Sequence, residues 1–278
     1  ELSDKRLRFL IGDVRDKERL IRATRGVDVL VHAAAMKQVP TCEYNPFDAV
    51  KTNVMGAISV ISAALENKVP KVIALSTDKA VNPVNIYGAT KLVSDKLFVH
   101  ANVYSGFDYP RFSLVRYGNV LGSRGSVVPL FLKQRETGVL TLTDERMTRF
   151  WLTLDQAVEL VLKGLSIMQG GEIFIPKIPS MKITDLAEAI APGCKKKFIG
   201  IRPGEKIHEV LVNEEEGRHT YSLEDIYIVT PSTKMLEVDY ERLGEKVPGD
   251  FIYSSDKNDW WLTPEELRTI LIEQGLLS

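Results

Sequence analysis

Apolar residues in this chain fall into two alternating patterns. Short continuous runs occur at residues 7–12 (LRFLIG), 27–34 (VDVLVHAA), 72–76 (VIALS) and 111–116 (RFSLVR). Between them the apolar residues recur at helical spacing. Residues 17–24 place Leu20 and Ile21 on one face, and residues 46–67 place Ala49, Val50, Val54, Ala57, Ile58, Ile61 and Leu65 on one face. Residues 86–104 form a second long helix pattern. Continuous runs without a polar alternation are the mark of strands buried on both faces. The β-α-β-α order therefore predicts an α/β protein with a doubly wound, Rossmann-like parallel sheet, whose strand C-terminal ends lie along one edge, where such sheets bind ligands.

The pattern loosens after Gly118, with Gly122, Gly125, Pro129 and Gly138 as punctuation. A helix is expected at 154–168, a strand at 171–176 and a helix at 184–191 with Thr184 as its N-cap. Thr263-Pro264-Glu265-Glu266 carries a cap, a proline at the first helical position and acids in the first turn, so a last helix starts there. Glu214-Glu215-Glu216 reads as a solvated loop. The chain shows no internal repeat. It also lacks a strand followed by a Gly-x-Gly-x-x-Gly turn, the usual opening of a dinucleotide fold. It begins where the third strand of such a fold would, so a first βαβ unit is expected upstream.

Bulk composition excludes several classes. With 44% hydrophobic and 26% charged residues the chain is an ordinary soluble globular protein. Lys plus Arg is 36 and Asp plus Glu is 37, so no global field draws it to nucleic acid or a membrane surface. No apolar run approaches the roughly 18 residues of a membrane span. Two cysteines, Cys42 and Cys194, suit a reducing cytoplasm. His32, His100, His208 and His219 are dispersed, and no metal-ligand spacing is present.

The chemistry concentrates after the 72–76 run. Ser76-Thr77-Asp78-Lys79 ends the strand, and Tyr87-Gly88-Ala89-Thr90-Lys91 opens the next helix. Tyr87 and Lys91, four apart, share a helix face. An ammonium there favours the phenolate and can hold cofactor ribose hydroxyls. With Ser76 or Thr77 alongside, this is an arrangement for taking a proton from a sugar hydroxyl while hydride leaves its carbon. Asp78 and Lys79 either pair to cap a turn or act as acid and base in an elimination. The second reading needs a neutral lysine amine, and burial or neighbouring cations would supply one.

Other strand ends offer binding groups. Asp13-Val14 is either a helix cap or an acceptor for an adenine amine. Ala33-Ala34-Ala35 lets a cofactor approach the backbone, and Lys37 can reach a phosphate or a sugar. His32 reads as a packed core residue. Tyr117-Gly118-Asn119-Val120 is either a plain turn or a close backbone approach with an amide donor. Arg202 and Glu205 are either a surface ion pair or a guanidinium for pyrophosphate and a carboxylate for ribose.

Together these residues resemble the extended short-chain dehydrogenase/reductase superfamily, and within it the inverting UDP-N-acetylglucosamine 4,6-dehydratases of pseudaminic acid synthesis. The likeness rests on Gly12–Asp16 (GDVRD), His32–Lys37 (HAAAMK), Leu75–Ala80 (LSTDKA), Tyr87–Lys91 (YGATK), Arg116–Ser126 (RYGNVLGSRGS), Arg146–Trp151 (RMTRFW), the run from Gly171 to Asp185, and Gly200–Lys206 (GIRPGEK). It extends from residue 7 to about residue 230. It implies that Tyr87 is the oxidation base with Lys91 its partner, Thr77 binds the sugar hydroxyl, Asp78 is the acid for water loss, and Lys79 handles the C5 proton and inverts that centre. Retaining relatives carry Asp-Glu where this chain has Asp78-Lys79. It further implies a cofactor contact set of Asp13, Val14, Ala33, Ala34, Ala35, Lys37, Ser76, Tyr87, Lys91, Tyr117, Asn119 and Val120. The substrate set is Lys37, Thr77, Asn119, Arg202 and Glu205.

The implied cofactor is NADP, with NAD left open. The implied partners are UDP-N-acetylglucosamine and further copies of the chain, as far as a hexamer. Residues 1–121 and 150–170 would form the dinucleotide-binding domain, N-terminally incomplete, and 122–149 with 171–278 a smaller mixed α/β substrate domain. The competing enzyme reading is a UDP-sugar 4-epimerase, which needs Tyr87 and Lys91 but has no use for Asp78-Lys79. The competing reading of another class is a non-catalytic nucleotide-sugar-binding protein.

Overall fold

The apolar runs become the strands of a central sheet. In the computed structural model, which describes residues 4–106, 109–123, 125–232 and 244–277, these are β1 (Val29–His32), β2 (Lys71–Thr77), β3 (Arg111–Tyr117), β4 (Ile173–Pro176), β5 (Thr220–Ser222), β6 (Ile226–Val229) and β7 (Glu245–Lys246). They lie in the order β1-β2-β3-β4-β6-β5-β7. The first four are parallel and the last three run antiparallel to their neighbours. The helices that flank the sheet are α1 (Lys17–Ala23), α2 (Gly56–Asn67), α3 (Ile86–His100) and α4 (Leu154–Ile167).

Strand alternation assigns the faces. Val72 and Ala74 of β2 and Phe112 and Leu114 of β3 pack with Ala57, Val60, Ala64 and Phe98 of α2 and α3. Ile73 and Val115 point the other way and pack with Leu160 of α4. Helices thus cover both faces, which explains why these strands read as unbroken apolar runs. β2 and β3 pair in register from Lys71 opposite Arg111 to Thr77 opposite Tyr117. The residues just beyond each strand therefore emerge level with each other at one sheet edge.

Four expectations need correction. Residues 7–12 form no strand: among the described residues they pair with none, and Leu7, Phe9, Leu10 and Ile11 are exposed. A strand needs a partner for its backbone groups, and β1, the sheet's edge, leaves its outer side open with Val29 and Val31 exposed. The domain boundary at 171 also fails as drawn, because β4 pairs with β3 and brings β6, β5 and β7 into the same sheet. A second apolar core does exist: Val128, Phe131, Leu140, Leu142, Leu186, Ile190, Leu267 and Leu271 cluster away from the sheet. Finally, Thr184 is not a cap. The helix runs Ile183–Ile190 from Lys182, with no side-chain cap bond.

Glu214-Glu215-Glu216 is likewise no loop but a short helix, Glu214–Gly217, with a capping box from Asn213. The expected 46–67 helix forms with a widened turn, Lys51–Met55, between Pro46–Val50 and α2. The expected 86–104 helix divides into α3 and Asn102–Ser105. The last helix, Pro264–Glu273, starts as read, with a capping box from Thr263 to Glu266. Among the described residues no helix is long and apolar enough to cross a membrane.

Candidate active site

A cleft of about 930 Å³ opens at the C-terminal ends of β1, β2 and β3. Its walls come from the segments that follow the strands and from a distant loop, and single side chains or a glycine fix their positions. After β1, the turn through Ala33, Ala34 and Ala35 is pinned by Asn53 in the widened turn. The Asn53 amide oxygen accepts from Met36 N (2.8 Å), and its nitrogen donates to Met36 O (2.9 Å) and Thr90 Oγ1 (3.0 Å). Such wide turns often sit at functional sites. Asn53 was not singled out from the sequence. One asparagine thereby couples the first cleft wall to α3.

After β2 the chain turns through one 3₁₀ turn, Asp78–Ala80. Its position depends on Gly88, at the start of α3. A Cβ on Gly88 would stand 2.1 Å from the carbonyl oxygen of Lys79, so only glycine lets the helix approach this turn. Asn85 caps α3 by accepting from Gly88 N (2.7 Å) and donates to Gly204 O (2.8 Å), which ties the helix start to the loop carrying Arg202, Glu205 and Lys206.

The structure brings most of the expected residues together. Ala33, Ala34, Ala35, Lys37, Ser76, Thr77, Lys79, Tyr87, Lys91, Tyr117, Asn119, Val120, Arg202 and Glu205 all line the cleft. Asp78 does not: it is fully buried behind Thr77 and Lys79. Its Oδ1 accepts from Thr77 Oγ1 (2.9 Å) and Lys79 Nζ (3.0 Å), while its Oδ2 is buried with no hydrogen bond. Asp13 and Val14 stand apart from the cleft. The Asp13 carboxylate is held by Arg15 (2.7 Å), which keeps it down at about 2, and Val14 packs over Gly56.

Electrostatics revise two expectations. Burial pushes Tyr87 up to about 12, and the opposing pull comes from the Lys79 charge and the Thr77 hydroxyl. Lys91 donates instead to Leu75 O (2.7 Å), and burial lowers its affinity for a proton. The cation acting on the phenol is therefore Lys79 rather than Lys91. Lys79 itself was expected to be neutral. Burial does act to neutralise it, but the carboxylates of Asp78 and Glu209 outweigh burial and raise it, so the resting side chain is an ammonium.

Behind the wall lies a buried ion network. Arg116 makes two bonds of 2.9 Å to Glu216 and approaches Asp95 at 3.6 Å, and Ser76 Oγ donates to Asp95. Burial raises Asp95, against the pull of Arg116 and Lys91. His32 is the packed residue expected: it stacks on Phe98, and burial lowers it to about 4.

Sequence reasoning missed Arg149 and Glu209 as well as Asn53. Arg149 comes from the strand Thr148–Leu152, and Glu209 immediately precedes the strand Val210–Val212. The only trace of Glu209 in the sequence is a charged residue abutting an apolar run.

The donor set suits a nicotinamide dinucleotide and a nucleotide sugar. Small side chains at Ala33–Ala35 leave backbone open, Lys91 and Tyr87 stand together on the helix, and Arg202 with Glu205 faces the same space. Comparisons with known proteins bear on this directly. Residues 1–231 match the family described as polysaccharide biosynthesis protein. The chain is 55% identical over 274 residues to a Campylobacter jejuni protein named UDP-N-acetylglucosamine 4,6-dehydratase (inverting), spanning 95% of this chain and 82% of that one. It is 42% identical to a Rickettsia canadensis protein named UDP-glucose 4-epimerase, spanning 98% and 81%. Its fold is similar to the X-ray structure of Pen from Bacillus thuringiensis, with a TM-score of 0.90, 39% identity and coverage of 99% and 84%. A dTDP-glucose 4,6-dehydratase from Streptomyces venezuelae, solved with NAD bound, has a TM-score of 0.68 at 25% identity, with coverage of 74% and 70%.

Proposed function

We propose that this chain, which belongs to the polysaccharide biosynthesis protein family, is an enzyme that removes water across C5 and C6 of UDP-N-acetylglucosamine and inverts C5. The observation that carries this reading is the 3₁₀ turn that sets Lys79 in the cleft and Asp78 directly behind it, beside Tyr87. Transfer of hydride at C4 alone, as in an epimerase, needs Tyr87, Lys91 and a cation beside the phenol, and leaves the buried acid Asp78 without work.

Ala33–Ala35, Ser76, Tyr87, Lys91, Tyr117, Asn119 and Val120 would hold the nicotinamide dinucleotide, which when bound accepts hydride from C4 and returns it to C6. We take it to be NADP, on the likeness of the site motifs. Tyr87 first releases its own phenolic proton to solvent and then, as phenolate, takes the C4 hydroxyl proton as the ketone forms. Its phenol needs help to do so, and the Lys79 charge and Thr77 hydroxyl are the groups that supply it.

The ketone acidifies C5. Lys79 holds a proton at rest, so it must pass one on before it can take another. Asp78, 3.0 Å away, is in reach to receive it. That single transfer makes Lys79 a neutral amine and Asp78 a carboxylic acid, turning an ion pair into a base and an acid. The amine then takes the C5 proton, and the acid protonates the departing C6 oxygen through the Thr77 and Lys79 contacts that connect it to the cleft. The C6–O bond breaks and water leaves. A proton from solvent, replacing the one Tyr87 released, is delivered to C5 on the opposite face. Two protons are removed, from O4 and C5, and two are delivered, to the leaving oxygen and to C5, so the steps balance. Arg202 and Glu205 bind the nucleotide, and Lys37 and Asn119 the sugar.

We further infer a cytoplasmic homo-oligomer. The decisive experiment is incubation with UDP-N-acetylglucosamine and NADP, with the product read by NMR. The reading requires a UDP-4-keto-6-deoxy-L-hexosamine. A C4 epimer as sole product would establish the alternative and remove the dehydratase assignment.

A further inference from the structure

Glu209 lies deep in the cleft wall, 2% exposed. Its Oε1 is 3.5 Å from Lys79 Nζ and 3.8 Å from Arg149 Nε, and its Oε2 is 3.9 Å from Lys206 Nζ. Oε2 makes no hydrogen bond among the described residues. A carboxylate this buried persists only if charges of opposite sign compensate it. Arg149 is fixed in turn by bonds to the carbonyls of Thr148 (2.7 Å), Lys206 (3.0 Å) and Ile207 (2.9 Å), so its guanidinium is a built part of the wall.

Around Lys79 Nζ the geometry is complete. Asp78 Oδ1 stands at 3.0 Å, Asn119 Oδ1 at 3.4 Å and Glu209 Oε1 at 3.5 Å. An ammonium has three N–H donors, and three acceptors from three different segments surround this one. We propose that Glu209 is a positioning residue for Lys79, anchoring its ammonium in the cleft wall opposite Asp78. This rests on the role of Lys79 proposed above.

The charge balance gives the consequence. The groups facing this cluster are Asp78, Lys79 and Tyr87 from the β2 end and α3, Arg149 from its strand, and Lys206 and Glu209 from the loop before Val210. His208 is turned away, its Nδ1 bonded to Thr148 Oγ1 (2.8 Å). With Glu209 charged, Lys79, Arg149 and Lys206 face two carboxylates. Without it, three cations face Asp78 alone, and their repulsion weakens the hold of Lys79 on its proton. Glu209 therefore helps hold Lys79 as an ammonium in place, against the opposing charge of Arg149.

The test is the rate at which Lys79 is acetylated by an N-hydroxysuccinimide ester at pH 8, followed by peptide mass spectrometry. Only the free amine reacts, so a fall of one pH unit in its midpoint raises the rate about 10-fold. Glu209→Gln should show at least that acceleration at Lys79. Glu209→Asp, which keeps the charge at shorter reach, should show less. Ser255→Ala, which removes the hydroxyl that accepts from Glu209 N (2.9 Å) and bonds Thr148 Oγ1 (2.6 Å) but no charge, should leave the Lys79 rate unchanged. In turnover, Glu209→Gln should lower kcat with little change in KM. An unaltered acetylation rate in both Glu209 variants would overturn the proposal, as would an equal acceleration in Ser255→Ala, which would mean mere loosening. Should Glu209→Gln not fold, Glu209→Ala, which also removes the charge, decides by the same criterion. The labelling does not depend on the reaction, so failure to form a 4-keto sugar would refute the dehydratase reading and leave the Glu209 result standing.

Discussion

Replacing Gly88 by alanine tests whether the close approach of α3 to the Asp78–Ala80 turn places the reacting groups. Two effects oppose each other. Inside a helix, alanine is favoured over glycine by about 1 kcal/mol. Against this, the added Cβ would lie 2.1 Å from Lys79 O, 3.0 Å from Lys79 C and 3.1 Å from Pro83 Cβ. Carbon atoms do not come within 3.0 Å of such neighbours, so helix and turn must separate by nearly 1 Å. The blocking atom is backbone and cannot swing aside. Overpacking of this kind costs roughly 1–3 kcal/mol, which outweighs the helical gain. The same shift moves Lys79 and Asp78 away from Tyr87, and a 1 Å misplacement costs on the order of 100-fold in rate. Thermal unfolding and turnover of UDP-N-acetylglucosamine by Gly88→Ala report both quantities. A variant as stable and as active as the parent would refute the reasoning, because it would show that the contact does not constrain the turn.

Three further outcomes follow from the same geometry. Arg116→Met leaves the buried carboxylates of Asp95 and Glu216 uncompensated and should cost about 3–5 kcal/mol in chemical denaturation; a loss below 1 kcal/mol would contradict the network. Burial holds His32 at about 4 against its ordinary value of 6.5, so its stabilising contribution is complete above pH 6.5 and fades as pH falls towards 4; the shift corresponds to about 3 kcal/mol, and His32→Gln should flatten the pH dependence of stability in that window. Tyr87→Phe removes the group that takes the O4 proton and should lower kcat about 10²–10⁴-fold while the affinity for UDP, measured by calorimetry, stays within a few fold.

What the sequence made legible follows from what is local. Thr77, Asp78 and Lys79 continue a buried strand, and Tyr87 and Lys91 share a helix turn, so spacing alone brings them to one edge. Asn53, Arg149 and Glu209 are brought in by tertiary approach: a widened turn beneath Met36, an antiparallel strand beside Ser180–Lys182 and the start of a strand lying against Tyr253–Ser254. No periodicity announces these. The charge state of Lys79 was legible only in part: Asp78 adjoins it in sequence, but the second carboxylate, Glu209, lies 130 positions away. Glu216 was readable in part, because Asn213-x-x-Glu216 is a capping-box signature. Its bond to Arg116 was not, and neither was the lack of a partner for residues 7–12, since a strand pattern says nothing about what lies beside it.

The central claim is that Asp78 and Lys79 add an elimination with inversion to the hydride transfer served by Tyr87. It is tested most directly by running the reaction on UDP-N-acetylglucosamine in deuterium oxide and reading C5 by NMR. The account predicts a UDP-4-keto-6-deoxy sugar with deuterium at C5 in the L configuration, and loss of that product in Lys79→Ala while some reduction of the nicotinamide, slowed by loss of the cation beside Tyr87, survives. A 4-keto-6-deoxy product with C5 in its original configuration, or the L-configured product formed at full rate by Lys79→Ala, would contradict it.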